Sequence, residues 1–206
     1  MRILPYGDRA LLAEVDSLER AVSLAASLER DRSRVPGVEE LVPGARTVLV
    51  RIDPRTISLT AAERWIASAV AAPDALTSGE LVTIPVLYDG PDLAEAAELL
   101  DLSTEGLVAR HTAATWQAAF VGFAPGFAYL TSPEFAFAVP RRSTSRPRVP
   151  AGSVGLAGEF SGVYPRESPG GWQLIGTTDA VLWDVSRTPP ALLRPGTEVR
   201  FEAVRP

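Results

Sequence analysis

Cysteine, lysine and asparagine are all missing from the 206 residues. Without cysteine there are no disulfides, no thiolate metal ligands and no cysteine nucleophile. Without lysine, all 20 basic side chains are arginine, a usage that fits a GC-rich genome. Whatever its cause, it excludes a phosphate loop of the G-x-x-x-x-G-K-[ST] type, a Schiff-base lysine and a lysine general base. Contact with ATP would have to use arginine, backbone N–H groups or a partner's residues. Histidine is reduced to one residue, His111. That is too few for the common His-based metal sites, and Glu159, Glu167 and Asp179 follow no metal spacing, so no metal site is expected. No apolar run approaches the roughly 18 residues needed to span a bilayer. The first residues, Met1–Asp8, contain no apolar run before their first acidic side chain, so no signal peptide and a cytoplasmic location are expected. A net charge of -5 argues against a nucleic-acid partner, which would call for a basic face.

The first 87 residues follow a regular rhythm. Ala10–Val15 has the length and composition of a strand. Asp16-Ser17 offers an N-cap, and Leu18, Ala21, Val22, Ala25 and Leu28 recur at helical spacing, predicting a helix over about 17–32. Val38–Val42 and Arg46–Ile52 read as strands joined by the turn Pro43-Gly44-Ala45. Thr60-Ala61-Ala62-Glu63 has the form of a capping box. Trp65, Ile66, Ala69 and Val70 carry the helix behind it to about Ala72, with Pro73 as its stop. Glu80–Leu87 reads as a further strand. The order β-α-β-β-α-β predicts a ferredoxin-like α+β domain over 1–85 with two helices on one face of an antiparallel sheet. Nothing in it looks catalytic.

Residues 86–206 are expected to form a second domain. Asp92–Leu100 and Ser103–Thr112 read as helices. Glycine then dominates: nine of the 16 glycines fall between Gly122 and Gly176. Short apolar runs lie among and beyond them: Trp116–Phe123, Ser153–Ala157, Gly162–Tyr164, Trp172–Ile175, Ala180–Val185 and Glu198–Val204. Many short strands with Gly/Pro turns predict a β-barrel or sandwich. Glycine inside a strand marks a bend or the close approach of another group. Phe127, Tyr164 and Trp172 in the same stretch supply the walls of a concave site.

Three segments stand out: Gly122-Phe123-Ala124-Pro125-Gly126-Phe127-Ala128-Tyr129-Leu130, the run Arg146–Gly158, and the run Gly162–Gly176. In order and spacing they resemble the family that contains allophanate hydrolase subunit 1, the B subunit of bacterial ATP-dependent 5-oxoprolinase, and the KipI-type inhibitor of a sporulation histidine kinase. The resemblance runs over nearly the whole chain. It implies a small N-terminal α/β domain and a C-terminal cyclophilin-like β-barrel. It also implies a larger cyclophilin-like partner subunit, with a third subunit in 5-oxoprolinase, and ATP used by the complex to open 5-oxo-L-proline to L-glutamate. On this reading the chain is inactive alone. A kinase-inhibitor module and an allophanate hydrolase or biotin-linked carboxyltransferase-like subunit are the alternatives. One position departs from the pattern: the third motif usually continues Leu-Ile-Gly-Arg-Thr, whereas Thr177 stands here in place of arginine. If that arginine holds a carboxylate or phosphate in relatives, Arg148 or Arg166 would have to compensate.

The candidate site residues follow. His111 is the one side chain with an ordinary pKa near neutrality; proton transfer or ligand contact competes with a structural role at a helix end. Arg148, before a Gly-rich turn, is a candidate anion clamp. Ser153 is a candidate substrate hydrogen-bonding group; no G-x-S-x-G elbow marks it as a nucleophile. Phe123, Phe127, Tyr164 and Trp172 are candidate walls. Pro125, Gly126, Gly170 and Gly171 are candidate loop formers whose backbone faces a ligand.

Overall fold

The computed structural model describes residues 1–69 and 79–205. The chain forms two compact units, Met1–Thr77 and Ser78–Pro206.

In the first unit the elements run β1 (Arg2–Pro5), β2 (Ala10–Glu14), α1 (Leu18–Asp31), a 3-10 turn (Arg32–Arg34), β3 (Val38–Pro43), β4 (Thr47–Ile52) and α2 (Leu59–Ser68). Period-2 alternation turns Leu11, Ala13, Val48, Val50 and Ile52 to one face of the sheet, where Leu24 and Leu28 of α1 and Ala62 and Ile66 of α2 complete a core. Register keeps the faces matched: Leu11 lies opposite Val50 and Ala13 opposite Val48. The hydroxyl of Ser17 caps α1 by accepting from the Arg20 N–H at 3.3 Å. The cap of α2 falls two residues before the expected Thr60 box. Ser58, in extended backbone, accepts from the Ala61 N–H at 3.2 Å, and Thr60 lies inside the helix. The chain reaches Ser58 from a turn in which the Thr56 and Ile57 N–H groups both donate to the Asp53 carbonyl, so the first competent cap comes early. The helix ends earlier than the expected Ala72: Ser68 is its last residue and Ala69, in extended backbone, is its C-cap. The stop expected at Pro73 lies outside the described residues.

The ferredoxin-like order is corrected at its fourth strand. The sheet order is β1-β2-β4-β3, and β1 fills the place beside β2 that the strand over Glu80–Leu87 was expected to take. The hairpin pairs Arg2 with Glu14 through Pro5 with Leu11. It closes over only residues 6–9, a short loop with little closure entropy to lose.

The second unit holds the other strand. Its elements are β5 (Leu81–Val86), α3 (Leu93–Glu98), α4 (Thr104–Ala113), β6 (Trp116–Val121), β7 (Ala128–Thr131), β8 (Arg146–Val149), β9 (Ser153–Ala157), β10 (Phe160–Val163), β11 (Ser168–Gly170), β12 (Gln173–Thr177) and β13 (Glu198–Ala203). β5 runs parallel to β13, from Leu81 opposite Glu198 to Val86 opposite Ala203. The seven-stranded mixed sheet has the order β12-β9-β10-β7-β6-β13-β5. Its two ends meet where Leu87 and Thr177 exchange backbone hydrogen bonds of 2.9 and 2.8 Å, which nearly closes a barrel. Gly90 is required at that seam. A Cβ there would lie 2.3 Å from the Leu174 carbonyl oxygen and 2.4 Å from the Ile175 carbonyl carbon. Inside the barrel pack Ile84, Val86, Trp116, Leu130, Val154, Leu156, Val163, Ile175 and Phe201. β8 and β11 form a separate two-stranded ribbon. Ala180–Val185, expected as a strand, makes only a bridge from Trp183 to Ala191 among the described residues. Leu182 alone of the run is buried in the barrel core; Val181, Trp183 and Val185 are 60%, 40% and 83% exposed, so no alternating apolar face holds it in a sheet.

Candidate functional site

The strands β7, β9, β10 and β12 have two apolar faces. Leu130, Leu156, Val163 and Ile175 point into the barrel. The alternate positions point outward, where Tyr129, Ala157, Phe160 and Leu174 join Phe127, Val149, Tyr164 and Trp172 in a second cluster. Gly162 makes the outer cluster possible. A Cβ on it would stand 3.0 Å from the Phe127 ring and 3.1 Å from the Trp172 ring. The rings meet edge to face: Phe127 lies 5.4 Å from both Trp172 and Tyr164, and Phe123 lies 5.3 Å from Phe127.

This cluster opens into a recess of about 540 Å³. Six aromatic side chains wall it: Phe123, Phe127, Tyr129, Phe160, Tyr164 and Trp172. Arg141, Ser145, Pro169 and Gly170 complete the rim. Phe123 is 56% exposed and has a left-handed backbone, φ +67. Such a conformation costs a non-glycine residue about 1–3 kcal/mol and gathers at functional sites. Burial pushes the Tyr129 and Tyr164 phenols up, while the charge of Arg141 near both pulls the other way.

A buried ion-pair network holds the arginine-bearing loop. Asp92, the residue preceding α3, is 2% exposed. Its carboxylate accepts from Arg142 Nη1 at 2.7 Å, from Arg146 Nη1 and Nη2 at 2.8 and 2.7 Å, and from the Leu174 N–H at 2.8 Å. Burial alone would raise this carboxyl. The Arg146 and Leu174 hydrogen bonds, with the charges of Arg146 and Arg142, outweigh it and hold the group below the usual range. The Arg142 N–H also donates to the Gly171 carbonyl at 2.9 Å, laying the loop along the recess.

Of the residues picked from sequence, Phe123, Phe127, Tyr164, Gly170 and Trp172 line the recess. Pro125 and Gly126 lie in the neighbouring turn, with Gly126 buried against Leu182 and Trp183. Gly171 is buried behind the rim and Ser153 is buried in β9 outside the recess. Arg148 must be corrected: its side chain is 80% exposed, pairs with Glu167 at 3.7 Å and does not line the recess. It stands two residues beyond Arg146 on an exposed position of β8, beside Glu167, which precedes β11, and Asp92 is already filled by Arg142 and Arg146. Arg166 is exposed and also absent from the lining, and the Thr177 hydroxyl donates to Asp89 at 2.9 Å.

His111 is corrected as a proton carrier. It is fully buried inside the barrel, stacked on Phe201 at 4.4 Å. Its ring nitrogens each make one 2.8 Å hydrogen bond, Nδ1 with the Tyr88 hydroxyl and Nε2 with that of Ser161. Burial pushes its pKa down to about 3. Sequence reasoning passed over Arg141, Tyr129 and Phe160 as site residues. Tyr129 and Phe160 were legible in principle as alternate residues of glycine-flanked strands. Nothing local singles out Arg141 from its neighbours.

Residues 1–193 match the family model described as carboxyltransferase domain, subdomain C and D, and the chain belongs to that family. Within it, the chain is 40% identical to the 5-oxoprolinase B subunit of Escherichia coli O157:H7, covering 95% of this chain and 92% of that one. It is 36% identical to the 5-oxoprolinase B subunit of Bacillus subtilis (strain 168), covering 97% and 91%. Among solved structures it is similar to TTHA0988, at 35% identity and a TM-score of 0.77. That match covers 96% of this chain and spans 40% of the longer solved one.

Proposed function

We propose that this chain is the B-type component of an ATP-dependent 5-oxoprolinase, which opens the lactam of 5-oxo-L-proline to give L-glutamate. The similarity to two curated relatives of that type over nine-tenths of their length carries this reading. The same names give no support to the kinase-inhibitor or carboxyltransferase alternatives. The barrel is read as cyclophilin-like. The chain works in the cytoplasm with a larger cyclophilin-like subunit and a third subunit, and is inactive alone.

Its own contribution is a ligand recess rather than a nucleotide cradle. A triphosphate calls for several cations or a glycine-rich loop with its lysine. The recess offers six rings and the single cation Arg141, and the chain has no lysine. ATP, which supplies the driving force for ring opening, is therefore assigned to partner residues. This chain binds and orients a small ring and shields it from water.

Co-expression with the two partner subunits tests the reading. The assembly should release glutamate from 5-oxoproline only when ATP is present, and the chain alone should release none. An inactive complete assembly, with the Escherichia coli assembly active in parallel, overturns it.

A further inference from the structure

The four arginines between positions 141 and 148 have different commitments. Arg142 and Arg146 are held by Asp92, and Arg148 faces Glu167. Arg141 lines the recess, and among the described residues it makes no ion pair or hydrogen bond. The Tyr129 hydroxyl, whose phenol feels the Arg141 charge, likewise has no hydrogen-bond partner among them. Ser145 adds a third donor at the rim. An uncommitted guanidinium and a free phenol beside a wall of rings suit one ligand chemistry: a flat, small ring bearing a single carboxylate. Guanidinium binds carboxylate through two parallel N–H···O bonds, and the phenol O–H donates to the same group. The Trp172 and Phe127 rings can cover the flat face that remains.

We infer that Arg141, with Tyr129, forms the carboxylate-binding end of the recess, and that 5-oxo-L-proline seats there by its carboxylate. The identity of the ring rests on the 5-oxoprolinase reading above; the carboxylate preference rests on the recess alone.

Two measurements separate these dependencies. In the three-subunit assembly, Arg141→Gln should raise KM for 5-oxoproline at least about tenfold and leave KM for ATP within about twofold. Arg141→Lys should recover part of the loss, because it restores the charge without the fork. In parallel, the full chain is titrated by ligand-observed NMR with 5-oxo-L-proline and with 2-pyrrolidinone, the same lactam without the carboxylate. The acid should bind at least about tenfold more tightly, and Arg141→Gln should abolish the difference. An active assembly whose Arg141→Gln variant keeps its KM for 5-oxoproline, or loses affinity for ATP instead, overturns the site and spares the functional reading. An inactive assembly, with this chain still preferring the acid in an Arg141-dependent way, overturns the functional reading and supports the site. No activity and no preference for the acid overturns both.

Discussion

Asp92 and Arg146 lie 54 residues apart and form a two-pronged ion pair with both N···O distances below 2.9 Å. The pair fastens the loop that carries Arg141 and Ser145 to the start of α3 and, through the Leu174 N–H, to the barrel strand β12. Two guanidiniums on one buried carboxylate leave that loop little freedom. The exposed Arg141 gains a fixed base.

Asp92→Asn should therefore act on stability and on the recess together. Removing one partner of a buried ion pair is costly, and here two cations lose it. Both arginines reach solvent in part, so the expected loss is about 3 kcal/mol, the low end for such sites. Because the folded carboxyl titrates below its unfolded value near 3.9, the stabilisation is fully present above that value. It fades as pH falls through the folded pKa. Denaturant melts at pH 7 and at pH 3 should show a clear gap between wild type and variant at the first and a narrower one at the second. In the assembly the variant should raise KM for 5-oxoproline more than it lowers kcat. Equal melts at pH 7 rule the network out as a fastening.

Local pattern was enough for what is local. Ser17 announces α1, and the alternation of Val48, Val50 and Ile52 announces β4. β5 shows the limit. Ile84 and Val86 are buried and Leu81, Thr83 and Pro85 exposed, as its pattern suggests. Its partner β13 lies more than 100 residues further on, and no local signal tells which sheet a strand will join. The four-residue β1, ending in proline, is too short for periodicity to register. The recess divides in the same way. Phe127, Tyr164 and Trp172 are visible because glycines such as Gly162 leave room for their rings. Arg141 is invisible, since only partners distant in sequence, Asp92 for Arg142 and Arg146 and Glu167 for Arg148, separate the committed arginines from the free one.

His111 makes the acid limb of stability measurable. Its pKa is about 3 in the folded chain and near 6.5 when unfolded. Between these values the unfolded state binds the extra proton, so stability is full above about pH 6.5 and falls as pH drops towards 3. The slope approaches about 1.4 kcal/mol per pH unit. His111→Gln, which cannot take up the proton, should start from a lower stability and decline less steeply over that window. As the chain has one histidine, its imidazole proton resonance needs no assignment, and it should not titrate between pH 5 and 8. An inflection near 6.5 would overturn the buried, neutral assignment.

The barrel seam gives a prediction about backbone alone. Gly90→Ala puts a methyl group against the carbonyls of Leu174 and Ile175, which are fixed by the pairing of Leu87 with Thr177 and cannot swing aside. The expected cost is about 3 kcal/mol, at the upper end of ordinary overpacking. A urea midpoint equal to wild type would mean that the seam opens easily and that the barrel is not closed there.

Phe123 separates stability from function most cleanly. Its ring is more than half exposed, so truncation forfeits little buried area, and its left-handed backbone is one that glycine adopts without strain. Phe123→Gly relieves roughly 1 kcal/mol of strain, which offsets the lost contact with Phe127 and the added freedom of the unfolded chain. The melting temperature should stay close to wild type. The recess, however, loses its outermost wall, so KM for 5-oxoproline should rise about threefold to tenfold in the assembly, as expected for the loss of part of an aromatic contact. A variant as stable as wild type with an unchanged KM would show that the strained backbone serves something other than the recess. A variant that unfolds would show that the ring carries the stability of the turn itself.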